Sequence, residues 1–156
     1  MKIHDLLSEE TVIPELLSQE RDSALEEMAR HLKNNNKVGN AAELYDKLIQ
    51  REKLGSTAIG RGIAIPHCKL KGAKSPLLAL AVSHKGVRFE ALDGKPTHLF
   101  FLAVSSPDDP AQNLQILASI AHLVRKAGAL PKRIMGAKDS RNILEIIREE
   151  EENLKG

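Results

Sequence analysis

Two apolar runs constrain this chain more than anything else in it. "SPLLALAVSH" (Ser75–His84) and "THLFFLAVSS" (Thr97–Ser106) are almost continuously hydrophobic, and "LDGKPT" between them is turn chemistry. A strand with one wet face alternates; a strand without alternation is covered on both faces. Apolar helices must therefore lie on each side of these strands, and the rest of the chain provides them.

Before the runs, "TVIPELL" reads as a short strand or extended entry. Leu25, Met28, Ala29 and Leu32 then recur at helical spacing until "NNNKVGN" stops them. Asn40 opens a second helix. Glu43 completes its capping box, and Ala41, Leu44, Tyr45, Leu48 and Ile49 form its apolar face. "GIAIPH" reads as one short buried strand.

After the runs comes "SSPDDPAQNLQIL". Asp109 suits an N-cap, Pro110 the first helical position, and Gln112 a capping box. Leu114, Leu117, Ala118 and Ala121 are the expected core face, with Gly128 and Pro131 ending the helix. A last helix follows Ser140, with Ile143, Leu144, Ile146 and Ile147 inward. Its "REEEE" (Arg148–Glu152) reads as a solvated end, fraying into a tail from about residue 150.

The order of elements is not a strict βαβα alternation. The expected fold is a layered α/β/α domain with a mixed central sheet of about four or five strands flanked by helices. At 156 residues, one domain spanning 1–156 is expected.

Composition removes several classes of function. Aromatics are 3 % with no Trp, and the net charge is only +2 with both signs mixed, which does not describe a nucleic-acid binder. No apolar run approaches ~18 residues, so no membrane insertion is expected. "MKIHDLLSEE" is too polar for a signal peptide. The lone Cys68 excludes a disulfide framework within the chain and fits a reducing cytoplasm.

The unusual stretch is "REKLGSTAIGRGIAIPHCKL" (Arg51–Leu70). It is not a P-loop: Gly55 and Gly60 are followed by Arg61-Gly62, with no Lys-Ser/Thr. Nor is it a dinucleotide loop, since Ile65 stands at the third glycine position and a strand follows. Cys68 and His67 make no dyad, because strand neighbours point to opposite faces. His4, His31, His67, His84, His98 and His122 show no metal-ligand spacing, and no GxSxG elbow is present. No cofactor or metal is expected.

What remains is a histidine at a strand end. Gly60 and Gly62 allow positive φ, and Pro66 stiffens the backbone ahead of His67. An ordinary imidazole is mostly neutral at pH 7, with one nitrogen free to attack. A phosphoryl group is a suitable electrophile. Arg51, Arg61, Ser56, Thr57 and the amides of the glycine loop are candidate donors to its oxygens. On the residues alone, a nucleophilic and a structural His67 are about equally supported.

The same stretch resembles the signature of enzyme IIA domains of the phosphoenolpyruvate-dependent sugar phosphotransferase system. The resemblance is to the fructose/mannitol type, which includes nitrogen-regulatory members, and extends through "LDGKPTHLFFLAVSSPDD". It implies a single enzyme IIA type-2 domain with His67 as phosphoryl acceptor and Arg51 beside the phosphohistidine, ahead of Arg61. It also implies a route. A histidine-containing phosphocarrier protein donates, and a cysteine of an enzyme IIB accepts. In the regulatory members, phosphorylation instead controls binding to a regulatory protein.

Three positions depart from the family pattern. Ala58 and Cys68 stand where glycine is common; Cys68 is a candidate redox-sensitive thiol, with a tolerated small residue the favoured reading. Asn113 stands where many members carry a second histidine. His122 cannot replace it, because nine residues along a helix lead to the opposite face. Asn113 is expected to donate to the phosphate near a helix N-terminus, and Thr57 to help orient it.

Overall fold

The computed structural model describes residues 1–73 and 76–154. The element order is α1 (Ile3–Leu6), a 3-10 turn (Glu9–Thr11), β1 (Val12–Ile13), α2 (Arg21–Asn34), α3 (Ala41–Lys53), β2 (Ala58–Gly60), β3 (Ile63–Ala64), β4 (His67–Lys69), β5 (Leu77–Val87), β6 (Thr97–Ser105), α4 (Pro110–Lys126), α5 (Leu130–Met135) and α6 (Ser140–Asn153).

The two long runs form the centre of a six-stranded mixed sheet, with β1-β5-β6-β3-β2 in order and β4 also pairing with β6. β5 and β6 pair antiparallel, from Leu77 opposite Val104 to Val87 opposite Thr97. Ser75, the expected first residue of that run, lies outside the described residues. β1 joins β5 in parallel, and β3 and β4 lie in parallel along the other edge of β6. The sheet is mixed as expected, with one or two strands more than expected.

Alternate residues of β5 and β6 enter different layers. Leu78, Leu80, Val82, Leu99, Phe101 and Ala103 meet the helices of the C-terminal half. Ala79, Ala81, Phe100, Leu102 and Val104 meet α2 and α3. This is why the runs do not alternate in hydrophobicity, and truncating such a buried Leu to Ala would cost about 2–5 kcal/mol.

"GIAIPH" is not one strand. It breaks into β3 and β4 around Ile65 and Pro66, and both pieces stay on β6. The α2 face holds as read, with Leu25, Met28, Ala29 and Leu32 fully buried. In α3, Asn40 caps through its side chain to the Glu43 amide at 3.0 Å. Leu44 and Leu48 are buried, while Ala41, Tyr45 and Ile49 are half-buried.

Helix α4 is turned from its expected orientation. Its buried face is Ile116, Ile120, Leu123 and Val124, whereas Leu114 is 67 % exposed and Ala118 is also exposed. The helix is apolar on more than one side, so hydrophobicity alone could not choose the face. Asp109 caps it through the Gln112 amide at 3.1 Å, and Pro110 opens it. Gly128 follows the helix end, but Pro131 lies inside α5.

Helix α6 buries Ile143, Ile146 and Ile147, with Leu144 half-buried. The fraying expected from about residue 150 is not seen as far as residue 154, and residues 155–156 lie outside the described residues. α6 continues to Asn153, and the Glu151 carboxylate accepts the Ile3 and His4 amides, each at 2.7 Å. These bonds hold the charged end of the last helix to the first.

Candidate functional site

His67 opens β4, level with Ala103 of β6, and Cys68 pairs with Val104. Ala103 faces the α4 layer and Val104 the α2–α3 layer, so His67 and Cys68 point to opposite sides. Cys68 is buried, and burial pushes its thiol up to about 12. It is therefore a neutral core side chain and not a redox-sensitive thiolate.

Two contacts define the imidazole. His67 Nδ1 lies 2.8 Å from the Ile65 carbonyl, and Arg51 Nε lies 3.3 Å from His67 Nε2. A carbonyl only accepts and a guanidinium only donates. The two together require the proton on Nδ1 and the lone pair on Nε2. The Ile65 carbonyl is free for this because the amide of Thr57, the residue opposite it, is given to Glu52 Oε2. Ile65 gives only its amide to that neighbour, to the Thr57 carbonyl at 3.0 Å.

Arg51 stands in the last turn of α3, where its charge complements the helix dipole. Its Nη1 donates to the Gly55 carbonyl at 2.9 Å. One guanidinium thus connects the turn after α3 with the imidazole. Gly55 has φ +151, a conformation open to glycine and rare for other residues.

Thr57 is not placed to meet an anion. It is buried, its hydroxyl donates to Glu52 Oε1, and its amide lies 3.0 Å from Glu52 Oε2. The hydroxyl proton expected for a phosphate is already given to a carboxylate. Glu52 itself escaped the sequence reading. A charged residue beside a helix end reads as solvated, yet Glu52 is only 4 % exposed.

Asn113 lies in the first turn of α4, on the side of the sheet that His67 faces. Ser105 Oγ donates to Asn113 Oδ1 at 2.8 Å, and Ser105 pairs with Lys69, two residues past His67 on β4. Among the described residues the Asn113 amino group has no partner, so two N–H donors remain free. The buried Ser105 is a second residue the sequence reading missed. Its signal was a polar residue ending an apolar run just before a cap. His122 is exposed in the later part of α4.

The second half of the glycine stretch lies elsewhere. Gly60, Arg61 and Gly62 all have positive φ and form the β2–β3 turn. The Gly62 carbonyl accepts the His98 amide, whereas His67 is level with Ala103. Five residues of strand, about 16 Å, separate the two. The Arg61 amide is also taken, by Asp93 Oδ2 at 3.0 Å. That bond and one from the Lys95 amide hold the Asp93 carboxyl below its ordinary range. The Gly60–Gly62 turn, with Arg61, is therefore not part of the His67 site, and of the two arginines in the stretch only Arg51 meets His67. Ser56 is turned away too, donating to the Phe89 carbonyl at 3.1 Å.

Among the described residues no group of three His, Cys, Asp or Glu side chains could hold a metal ion, and no helix is long and apolar enough to cross a membrane.

A neutral imidazole with its Nε2 lone pair held toward a guanidinium, at the end of a sequence of this form, is decided by comparison with known families. Residues 5–150 match the family model described as "Phosphoenolpyruvate-dependent sugar phosphotransferase system, EIIA 2". The chain belongs to this enzyme IIA family.

A nitrogen regulatory protein of Bradyrhizobium diazoefficiens is 34 % identical over 148 residues, covering 94 % of this chain and 95 % of that protein. A PTS system fructose-specific EIIABC component of Bacillus subtilis is 31 % identical over 147 residues. The chain spans only 23 % of that longer relative. Nitrogen regulatory protein IIA-Ntr from Neisseria meningitidis superposes with a TM-score of 0.83 at 26 % identity, over 93 % of this chain and 98 % of that one. The α/β enzyme IIA fold expected from the sequence is thus the fold observed.

Proposed function

We propose that the protein is a phosphoryl carrier acting in the cytoplasm, with His67 as its covalent acceptor. The observation that carries this reading is the Nε2 lone pair, held outward by the Ile65 carbonyl bond to Nδ1 and facing Arg51. In the transfer, His67 Nε2 forms a bond to phosphorus as the N–P bond of a phosphohistidine carrier protein breaks. The donor nitrogen keeps the electron pair of that bond. His67 keeps its Nδ1 proton, and no water or metal enters.

The charge left on the ring is offset by the Ile65 carbonyl at Nδ1, and the phosphoryl charge by Arg51. Asn113 would donate its free N–H groups to the phosphoryl oxygens from the α4 side. In the onward step the His67 N–P bond breaks and a cysteine thiolate of an enzyme IIB takes the phosphorus. Leu54 and Leu114, 84 % and 67 % exposed, follow Arg51 and Asn113 closely in the chain and suit a docking partner.

The test is incubation with phosphoenolpyruvate, enzyme I and the carrier protein, followed by intact mass. One acid-labile phosphoryl adduct, lost in His67→Ala, is the expected result. No adduct with cognate partners would sink the proposal.

A second reading is favoured by the nitrogen regulatory relative, which this chain matches over 95 % of its length. Here phosphorylation of His67 controls partner binding by adding about −1.5 to −2 charge to one surface. Pull-downs with His67→Asp and His67→Ala discriminate, since identical partner sets for both would argue against phospho-control.

A further inference from the structure

We propose that Glu52 is a positioning residue of this site: a buried carboxylate that, through Thr57, sets both Arg51 and the reactive face of His67. The inference rests on the phosphoryl-carrier reading of the site.

Two hydrogen-bonded arms leave one clamp. The clamp is Glu52 with Thr57, both carboxylate oxygens taken by one residue: Oε2 by its amide at 3.0 Å and Oε1 by its hydroxyl. It closes the turn Lys53–Ser56, which the Gly55 amide also ties to the Glu52 carbonyl at 3.0 Å. Along the first arm, the Gly55 carbonyl in that turn accepts Arg51 Nη1 at 2.9 Å and so aims Nε at the imidazole. Along the second, the Thr57 carbonyl accepts the Ile65 amide at 3.0 Å, and the Ile65 carbonyl accepts His67 Nδ1 at 2.8 Å. The guanidinium and the tautomer of the nucleophile thus share one fixed point.

Glu52 is 4 % exposed, and the nearby Arg21, which feels its charge, forms its ion pairs with Asp22 and Glu90 instead. Glu52 also lies in the last turn of α3, where the helix dipole disfavours an anion. Burial and helix position both oppose the charge, while a neutral side chain could close the same turn. An anion brings two charge-assisted bonds, shorter and stronger than neutral ones, to Thr57, which closes the turn that carries the first arm and is itself the start of the second. A misplacement of 1 Å in a reacting group can cost about a hundredfold in rate, so this stiffness has a kinetic use.

The test uses Glu52→Gln, Thr57→Val and Thr57→Ser in the full chain, with melting curves to verify folding. Thr57→Val keeps the amide and deletes the hydroxyl, which leaves a usable variant if Glu52→Gln does not fold. Two quantities are measured: the nitrogen-15 ring spectrum of His67, and kcat and KM for transfer from the phosphorylated carrier protein.

In the unmodified protein the ring spectrum should report the Nδ1–H tautomer. Glu52→Gln and Thr57→Val should give mixed tautomers and a kcat about ten- to a hundredfold lower, with KM unchanged. Thr57→Ser should restore both. Folded variants with an unchanged ring spectrum and unchanged kcat would overturn the proposal. So would a loss confined to KM, which would place Glu52 in partner docking. If the unmodified protein takes up no phosphoryl group, the functional reading fails. The ring spectra still decide the positioning role, and unchanged spectra overturn it.

Discussion

The two ends of the edge formed by β3 and β4 came from one stretch of sequence and do different work. At one end, Gly60, Arg61 and Gly62 turn the chain in three successive positive-φ residues that dock on Asp93. At the other, about 16 Å along the strand, His67 presents Nε2 to Arg51. Glycine richness marks the first end and hydrogen-bond logic the second. The difference teaches that a compact motif need not be a compact site. Part of its pattern exists to make β2 turn back on β3, so that Thr57 can reach Ile65.

This comparison can be broken by substitutions at either end. The largest effect belongs to the His67 end. Arg51→Ala should lower the rate of phosphoryl uptake by about 10²–10³-fold, the usual loss when one donor to a developing charge is removed. Because Arg51 is half-buried and on the rim of the site, its melting temperature should barely move. Rapid-quench phosphorylation with melting curves checks both. A rate within a few-fold of the unmodified protein would remove Arg51 from the site.

Asn113→Ala should follow with about a tenfold loss, the scale of one hydrogen bond to a charged group. Asn113→His should introduce a pH dependence that the neutral amide lacks. A pH–rate profile of each variant checks this, and identical profiles would show that the α4 side does not reach the phosphoryl group.

At the glycine end the effect should change in kind. Gly62→Ala places a side chain at φ +80, with only ordinary contact to His98. The expected cost is about 1–2 kcal/mol of stability, measured by urea unfolding, with the phosphorylation rate per folded molecule unchanged. A rate loss at full stability would join the two ends and break the comparison.

The smallest effect lies outside both ends. His84 bonds Glu15 through Nδ1 and the Met135 carbonyl through Nε2 at 2.7 Å, and these bonds, Glu15 first, raise its pKa. Both partners accept, so the charged ring is favoured in the folded state. That contribution is complete below about pH 6.5 and is lost as pH rises through the higher folded value. His84 is half exposed, so the gain is small. Glu15→Gln should therefore melt slightly lower than the unmodified protein at pH 6, and the gap should narrow by pH 8.5.

The layered fold was legible because Leu77–Val82 and Leu99–Val104 have no polar side, which forces helices onto both faces. The caps at Asn40 and Asp109 were legible because capping is local chemistry. The face of α4 was not, since Leu114 and Ile116 are equally apolar and only the sheet decides between them. Of the residues named from the sequence, Arg51 meets His67 directly, and Asn113 bonds Ser105 on the strand beside β4. Their supports, Glu52 and Ser105, were not legible, because burial of a polar residue is a tertiary property. Thr57 was noticed for its hydroxyl, but which acceptor that hydroxyl meets depends on how α3 ends.

Cys68 gives the site a further property. Sulfur is a good acceptor of phosphorus only as a thiolate, and this sulfur, on the residue next to His67, is held neutral and turned to the other side of the sheet. On the proposed function, a phosphoryl group on His67 would meet no thiolate at this neighbouring position. Its lifetime would then owe nothing to this sulfur, a condition that suits a proposed carrier that stores a group as well as passing it on.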